Sequence, residues 1–329
     1  MAKMDIVVDI GSKFLGLGIV DRDFVSREPC VVAEEKQHIK NNYVAFGIKA
    51  LQSEKNDDGS CTIIHPVQNG QIIDADAFEY LLTCSLQKIL PSSAFLPKMK
   101  AYCVISCCTS DETKKIIDNI FNKLGFRKVE FVYSPVADAF SARKEIGFSS
   151  CITINMGNEL TQICAVEGDK IISGVTMQWA GVQLLAKITE YARNKYNMVI
   201  GPKQADKILV NSISLYPNNM STIRIKGVNT LKNVEEYFEI SSRELYETTY
   251  EFFEKVVDIA NSLFMSLPIS KVEKIRSNGV VLFGGLAAVE GLEKFLVEAL
   301  KMPVRLKLNS ENSGVEGAKV YAEMINSQN

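Results

Sequence analysis

Apolar and polar positions divide the chain into short β-branched runs and longer stripes of helical spacing. Ile6-Val-Val-Asp-Ile-Gly11 is a β-branched run ending in glycine. After three residues, Leu15-Gly-Leu-Gly-Ile-Val20 resumes an extended apolar pattern, which predicts a hairpin. The design returns at Cys151-Ile-Thr-Ile-Asn-Met-Gly157, a polar tip Asn158-Glu159, and Leu160-Thr-Gln-Ile-Cys-Ala-Val166. The two strand–glycine–strand units lie about half a chain apart, an internal repeat of architecture with little sequence identity.

Between them, Phe78, Leu81, Leu82, Leu86, Ile89 and Leu90 form a helical stripe over 77–90. A strand is predicted over Tyr102–Cys108 and a helix over Asp111–Leu124, capped by Thr109-Ser110-Asp111. Val129–Tyr133 reads as a strand, and Pro135 opens a helix over Val136–Lys144. After the second hairpin come helices over Gly181–Tyr196 and Gln204–Val210, and strands over Ile223–Lys226 and Glu236–Ile240. Ser241 caps a long helix, Ser242–Leu267. A strand running into a double glycine, Gly279–Gly285, precedes a helix over Val289–Leu300, a strand over Val304–Leu308 and a helix over Ser313–Met324. The alternation predicts two layered α/β halves.

Composition narrows the function. The 329 residues suit about two domains. With 37 Lys and Arg against 39 Asp and Glu, the chain lacks the basic field of a nucleic-acid binder, so nucleic acid is not expected as a partner. Eight cysteines show no paired C-x-x-C spacing and only His38 and His65 accompany them, so no structural metal is expected. Cys103, Cys107 and Cys108 are read as strand residues, mostly buried and reduced. The first apolar run is stopped by Asp9 and Gly11, against a signal peptide, and no window approaches the ~20 apolar residues of a membrane span. A cytoplasmic location is the simplest expectation.

A glycine at a hairpin tip lets backbone N–H groups approach phosphate oxygens with no Cβ in the way. Two such hairpins facing one another can clamp a polyphosphate between domains, and the late strand-Gly-Gly-helix unit is where adenosine would be gripped. At these positions the chain resembles the actin-like ATPases of the Hsp70/actin/sugar-kinase superfamily, and within them the bacterial rod-shape MreB family, over essentially its whole length. Asp9-Ile-Gly-Ser12 looks like the first phosphate loop, and Arg27-Glu-Pro-Cys-Val-Val-Ala33 resembles N-E-P-S-V-V-A. His65–Asp74 is similar to R-P-M-x-D-G-V-I-A-D, Ser134-Pro-Val-Ala-Asp-Ala139 to E-P-M-A-A-A, and Gly279–Gly285 to the adenosine motif.

The resemblance implies an actin-like two-domain α/β fold. Its expected divisions are domain I over 1–145 plus 313–329, with a small subdomain at about 33–65, and domain II over 146–312, with one at about 182–245. Nucleotide contacts are implied at Asp9, Gly11, Ser12, Lys13, Gly157, Thr161, Gly181, Asp206, Lys207, Gly284 and Gly285, with Asp9 holding Mg²⁺ through water. ATP or ADP with Mg²⁺ is the cofactor the resemblance implies, bound weakly or not at all.

Departures from the pattern matter equally. The family's water-positioning glutamate is Ser134 here, and the second-loop aspartate is Asn155. Asn158 and Glu159 replace loop glycines, and an anionic side chain beside phosphates repels by about 1 kcal/mol or more. Val182 stands where the glycine before it is usually followed by aspartate, and Leu286 replaces the third glycine of the adenosine motif. Weak or absent ATPase activity is therefore expected.

Phe95 and Leu96, flanked by Lys98 and Lys100, have the composition of a shallow membrane anchor. The resemblance implies self-assembly into filaments or co-polymerisation with a paralogous actin-like protein, at the inner face of the membrane and among cell-shape membrane proteins. A non-polymerising adaptor of the same fold, comparable to pilus-assembly proteins, is the alternative. A small-molecule kinase lacks a candidate catalytic aspartate. Trp179 is read as packing, and Lys49–Gly59 as a solvated loop.

Overall fold

Both glycine-tipped hairpins form, and each becomes the centre of a sheet. The computed structural model describes residues 4–36, 42–53, 60–90, 99–147 and 150–327. Contacts divide the chain into two units, Met1–Gly147 with Glu311–Asn329, and Phe148–Ser310.

In the first unit, β1 (Ile6–Ile10) and β2 (Phe14–Ile19) pair antiparallel, and β3 (Val25–Pro29) adds an edge strand to β2. Then follow β4 (Val32–Glu35), β5 (Tyr43–Phe46), α1 (Gly47–Ser53), β6 (Cys61–Ile64), and the two-residue strands β7 (Val67–Gln68) and β8 (Gln71–Ile72). Strands β5, β4 and β6 form a small separate sheet around Val31, Ala33 and Ala50. The stretch from Lys49 to Ser53, expected as loop, is therefore the helix α1, whose Ala50 is buried in that small core.

The unit continues with α2 (Ala75–Ile89), β9 (Lys100–Ile105), α3 (Asp111–Lys123), β10 (Lys128–Tyr133) and α4 (Ser134–Ile146). Asp74 caps α2 by accepting from the Ala77 N–H at 2.9 Å, and Ser110 caps α3 from the Thr113 N–H at 3.1 Å. The strand predicted to reach Cys108 stops at Ile105. Ser106 Oγ lies 3.2 Å from Cys108 Sγ in the turn that leads to the α3 cap, which leaves Cys108 exposed and Cys107 half-buried. Phe95 and Leu96 lie outside the described residues.

The main sheet of this unit runs β10-β9-β1-β2-β3, with β9 parallel to both β1 and β10. Ile6, Val8, Leu15 and Leu17 face Phe78, Leu81, Leu82, Ile117 and Phe121 of α2 and α3. The opposite face carries the last helix of the chain, α10 (Ser313–Ser327). Gly16 and Gly18 make that approach close: a Cβ on either would press on Val315, and one on Gly18 also on Lys319. The buried Lys319 ammonium donates to the Arg22 and Phe24 carbonyls at 2.9 and 2.6 Å, so its charge is solvated by the β2–β3 turn.

The second unit repeats the plan. It contains β11 (Ser150–Met156), β12 (Thr161–Glu167), β13 (Lys170–Met177), α5 (Gly181–Tyr196), β14 (Met198–Val199), α6 (Pro202–Asn211), β15 (Thr222–Asn229), β16 (Val234–Ser241), α7 (Ser242–Met265), α8 (Ile269–Asn278), β17 (Val280–Phe283), α9 (Leu292–Leu300) and β18 (Val304–Leu306). Its main sheet runs β13-β12-β11-β17-β18, the order and strand directions of the first. A second small sheet holds β14, β15 and β16. Ser241 and Glu244 form a capping box at α7. The helix expected from Val289 starts at Leu292 instead, because Gly285–Ala288 is a 3-10 turn and Gly291 takes a left-handed φ of 82° at the cap. Ile152, Ile154 and Met156 pack with Leu184, Ile188, Phe252, Phe253 and Val256 in one core.

Candidate phosphate-binding turns

The two hairpins turn in the same way. The Gly11 N–H donates to the Phe14 carbonyl at 3.1 Å, and the Gly157 N–H to the Leu160 carbonyl at 2.9 Å. Strand register then equates the two units: Asp9 faces Gly16, which faces Arg27, and Asn155 faces Gln162, which faces Thr176. Ser12 and Lys13 of one turn thus match Asn158 and Glu159 of the other. The charge at the tip changes sign between the copies.

In the first unit, Asp9 closes β1 beneath the turn. Its carboxylate lies against Gly314 in the first turn of α10, where any Cβ would overlap Oδ2. Burial pushes the Asp9 carboxyl up to about 6, and the Arg27 guanidinium opposes the rise. Gly16, paired with both, has Val315 of α10 packed over it. The Arg27 guanidinium also lies 4.0 Å from the centroid of the Phe14 ring, at the end of the turn, and interacts with Glu311. Lys13 is exposed at the tip.

Ser134 is the first residue of α4, and its hydroxyl donates to the Ile105 carbonyl at 2.9 Å, closing the end of β9. The carboxylate one turn on, Asp138, is fully buried and accepts from Ser313 Oγ at 2.6 Å, tying α4 to α10.

In the second unit, Gly284 adopts φ 83° where β17 ends; a Cβ there would overlap the Met156 carbonyl and sit 2.7 Å from Asn155 Oδ1. Gly285 is open on its Cβ side. Gly284 and the Gly157 turn therefore lie at the same end of the adjacent strands β17 and β11, with the Asn155 side chain against Gly284. The Gly181 N–H donates to the Gly157 carbonyl at 3.1 Å and the Val182 N–H to that of Asn158 at 2.8 Å, so α5 begins by holding the turn. Thr161 is fully buried and its hydroxyl donates to the Trp179 carbonyl at 2.6 Å. Asp206 and Lys207 sit on α6, half-buried and exposed respectively. Beyond the 3-10 turn, a surface depression of about 530 Å³ is lined by Tyr216, Ala287, Val289, Lys294 and Val297.

Sequence reading singled out Asp9 and passed over Arg27 as a site residue. The signal was present, since Arg27 lies in the quoted segment, but its relation to Asp9 requires the β1-β2-β3 register. The charged groups around Asp9 are few. Asp9 is faced by a guanidinium, its counterpart in the second unit is an amide, and among the described residues no three His, Cys, Asp or Glu side chains converge. Nor, among the described residues, is any helix long and apolar enough to cross a membrane.

A family model described as MreB/Mbl protein matches residues 3–329. The cell shape-determining protein Mbl of Bacillus subtilis (strain 168) is 26% identical over 311 residues, covering 94% of this chain and 92% of the relative. MreB5 of Spiroplasma citri, solved bound to ADP, superposes with a TM-score of 0.88 at 21% identity, over 100% of this chain and 99% of that one. The same protein bound to AMPPNP gives 0.89. MamK in a double helical filament gives 0.83 at 17% identity, over 98% and 99% of the chains. The fold is actin-like.

Proposed function

The chain belongs to the MreB/Mbl family, and from that premise we propose that it is a cell-shape cytoskeletal protein that binds adenine nucleotide weakly and hydrolyses it little. The phosphate-binding groups in this reading are the Gly11–Lys13 turn of the first unit and the Gly157 and Gly284 turns of the second. The observation that carries slow hydrolysis is Ser134, whose hydroxyl is bound to the Ile105 carbonyl, where a water-positioning group would need a carboxylate. Asn155 supports it, because an amide cannot supply the charge that organises water and metal. Glu159 at the second tip opposes phosphate and lowers affinity.

MreB5 is solved with ADP and AMPPNP, which supports nucleotide as the ligand class. MamK is solved as a filament, which supports self-association here; co-assembly with an active paralogue and a place at the inner face of the membrane rest on the family resemblance alone. A chain that hydrolyses slowly lacks the usual switch for disassembly and is expected to form long-lived filaments.

Calorimetric titration with ADP and ATP, and phosphate release with and without Mg²⁺, test the nucleotide reading. Release is expected at background, rising about tenfold or more in the S134E/N155D double variant, a change of about 1.4 kcal/mol in barrier. Rapid release by the parent chain that disappears in Asp9→Ala would overturn it. Sedimentation and electron microscopy with and without ATP separate a filament from the non-polymerising adaptor. Liposome pelleting of the F95A/L96A variant tests the membrane anchor; unchanged pelleting would remove it.

A further inference from the structure

Cysteine stands at both central positions of one β-turn in the first unit. The Thr109 N–H donates to the Ser106 carbonyl at 3.1 Å, so the turn from Ser106 to Thr109 carries Cys107 and Cys108 side by side. Of the eight cysteines Cys108 is the exposed one, and Cys107 beside it is half-buried. The turn follows β9, which ends between β1 and β10 with Val104 paired to Asp9 and Ile105 to Tyr133. A second turn clamps it. Asn69 and Gly70, between β7 and β8, take left-handed φ values of 48° and 74°, and the carbonyls of this fixed two-residue hairpin accept from Cys108 Sγ at 3.6 Å and Thr109 Oγ1 at 3.1 Å. Gln71 completes the clamp. Its Nε2 donates to the Cys108 carbonyl at 2.7 Å, and its Oε1 accepts from the N–H of Ser110, the α3 cap, at 3.0 Å. Ser106 Oγ lies 3.2 Å from the Cys108 sulfur.

We propose that Cys107 and Cys108 form an exchange site for a low-molecular-weight disulfide, and that its oxidation releases the β7–β8 hairpin. Cys108 acts first, because its sulfur is reached from solvent. Its thiolate attacks one sulfur of the external disulfide. That S–S bond breaks, one thiol leaves with the proton Cys108 gave up, and a mixed disulfide remains on Cys108. The Cys107 thiolate then attacks Cys108 Sγ, the second thiol leaves with the Cys107 proton, and a Cys107–Cys108 bridge closes. Two protein thiols are oxidised and one external disulfide is reduced to two thiols. Adjacent Cα atoms lie about 3.8 Å apart, below the roughly 4.4 Å at which ordinary disulfides begin, so the closed ring is strained and excess thiol reopens it. Closure consumes the S–H that Asn69 accepts. It also requires rotation about both turn residues, which shifts the Cys108 carbonyl away from Gln71. The site is independent of nucleotide binding.

The test uses the full chain and two readouts. Protein is incubated with glutathione disulfide, quenched in acid, alkylated, and followed by intact mass and peptide mapping. The parent is expected to lose two hydrogens without keeping glutathione, with Cys107 and Cys108 both protected from alkylation, and to recover on addition of excess glutathione. Cys107→Ser is expected to retain one glutathione on Cys108. Cys108→Ser is expected to react about tenfold or more slowly than the parent. Hydrogen exchange then compares reduced and oxidised parent, and is expected to quicken on oxidation at 69–72 and in the first turn of α3. A parent that keeps glutathione on Cys108, that bridges Cys108 to any other cysteine, or that reacts no faster than Cys108→Ser overturns the exchange site. Unchanged hydrogen exchange at 69–72 in the bridged parent overturns the release of the hairpin.

Discussion

Replacing Asp9 by asparagine should stabilise the protein at neutral pH. The carboxyl sits against Gly314 and is pushed from its ordinary 3.8 to about 6, chiefly by burial and in spite of Arg27. A raised carboxyl value means that the folded state prefers the protonated form. The stabilisation is complete below 3.8 and disappears as pH rises through about 6. The difference of about two units at 1.36 kcal/mol each gives a ceiling of about 3 kcal/mol, and partial solvent access at the turn reduces it to about 1–3 kcal/mol. Asparagine keeps the shape and cannot ionise. Urea unfolding of nucleotide-free parent and Asp9→Asn, followed across this pH range, cancels all other titrations in the difference. The variant should gain relative to the parent as pH rises from about 4 to about 6 and then level off. Replacing Arg27 by asparagine in the parent should enlarge that gain, since the opposing charge is gone. A difference that stays flat with pH would refute the burial argument for Asp9.

Gly284→Ala places a Cβ on the Met156 carbonyl at a left-handed φ and should cost about 2 kcal/mol or more in urea unfolding. At Glu244, burial raises the carboxyl, but Lys195, Tyr196 and Ser241 overcome it and hold it at about 2. Its contribution is therefore present above 4.5 and lost as pH falls toward about 2, and Glu244→Gln should cost about 1 kcal/mol at pH 7 and little in strong acid. Trp179 stacks on Phe252 with centroids 5.0 Å apart and donates Nε1–H to the Phe252 carbonyl at 3.0 Å. Trp179→Phe keeps the stack and loses the hydrogen bond, so thermal melting by circular dichroism should register a loss of about 1 kcal/mol.

Legibility in the chain followed locality. Helix α5 was read at its observed bounds, and α3 and α7 nearly so, because caps and apolar spacing lie within a few residues of each other. Edge strands escaped. Strand β3, Val-Ser-Arg-Glu-Pro, lacks clean alternation and exposes Arg27, and β13 carries Gly174 at its centre, where Cys164 leaves no room for a Cβ. The polar helix α8 escaped as well, with Ile275 its one buried residue. The two glycine-tipped turns were legible because glycine at a hairpin tip is a local requirement. Where Thr161 and Ser134 direct their hydroxyls was not, since each donates to a carbonyl on another element.

By its own order the chain determined two glycine-tipped hairpins and a repeated α/β plan, and it placed Ser134 and Asn155 where the family resemblance implies carboxylates. Tertiary structure decided which groups those positions meet. Asp9 and Arg27 are eighteen residues apart and come to one face of the sheet only because β1, β2 and β3 pair in one register with Gly16 between them. A shift of one residue in either ladder would send their side chains to opposite faces. That pairing is selected by the burial of Ile6, Val8, Leu15 and Leu17 on one side of the sheet, and by the close seat of α10 over Gly16 and Gly18 on the other.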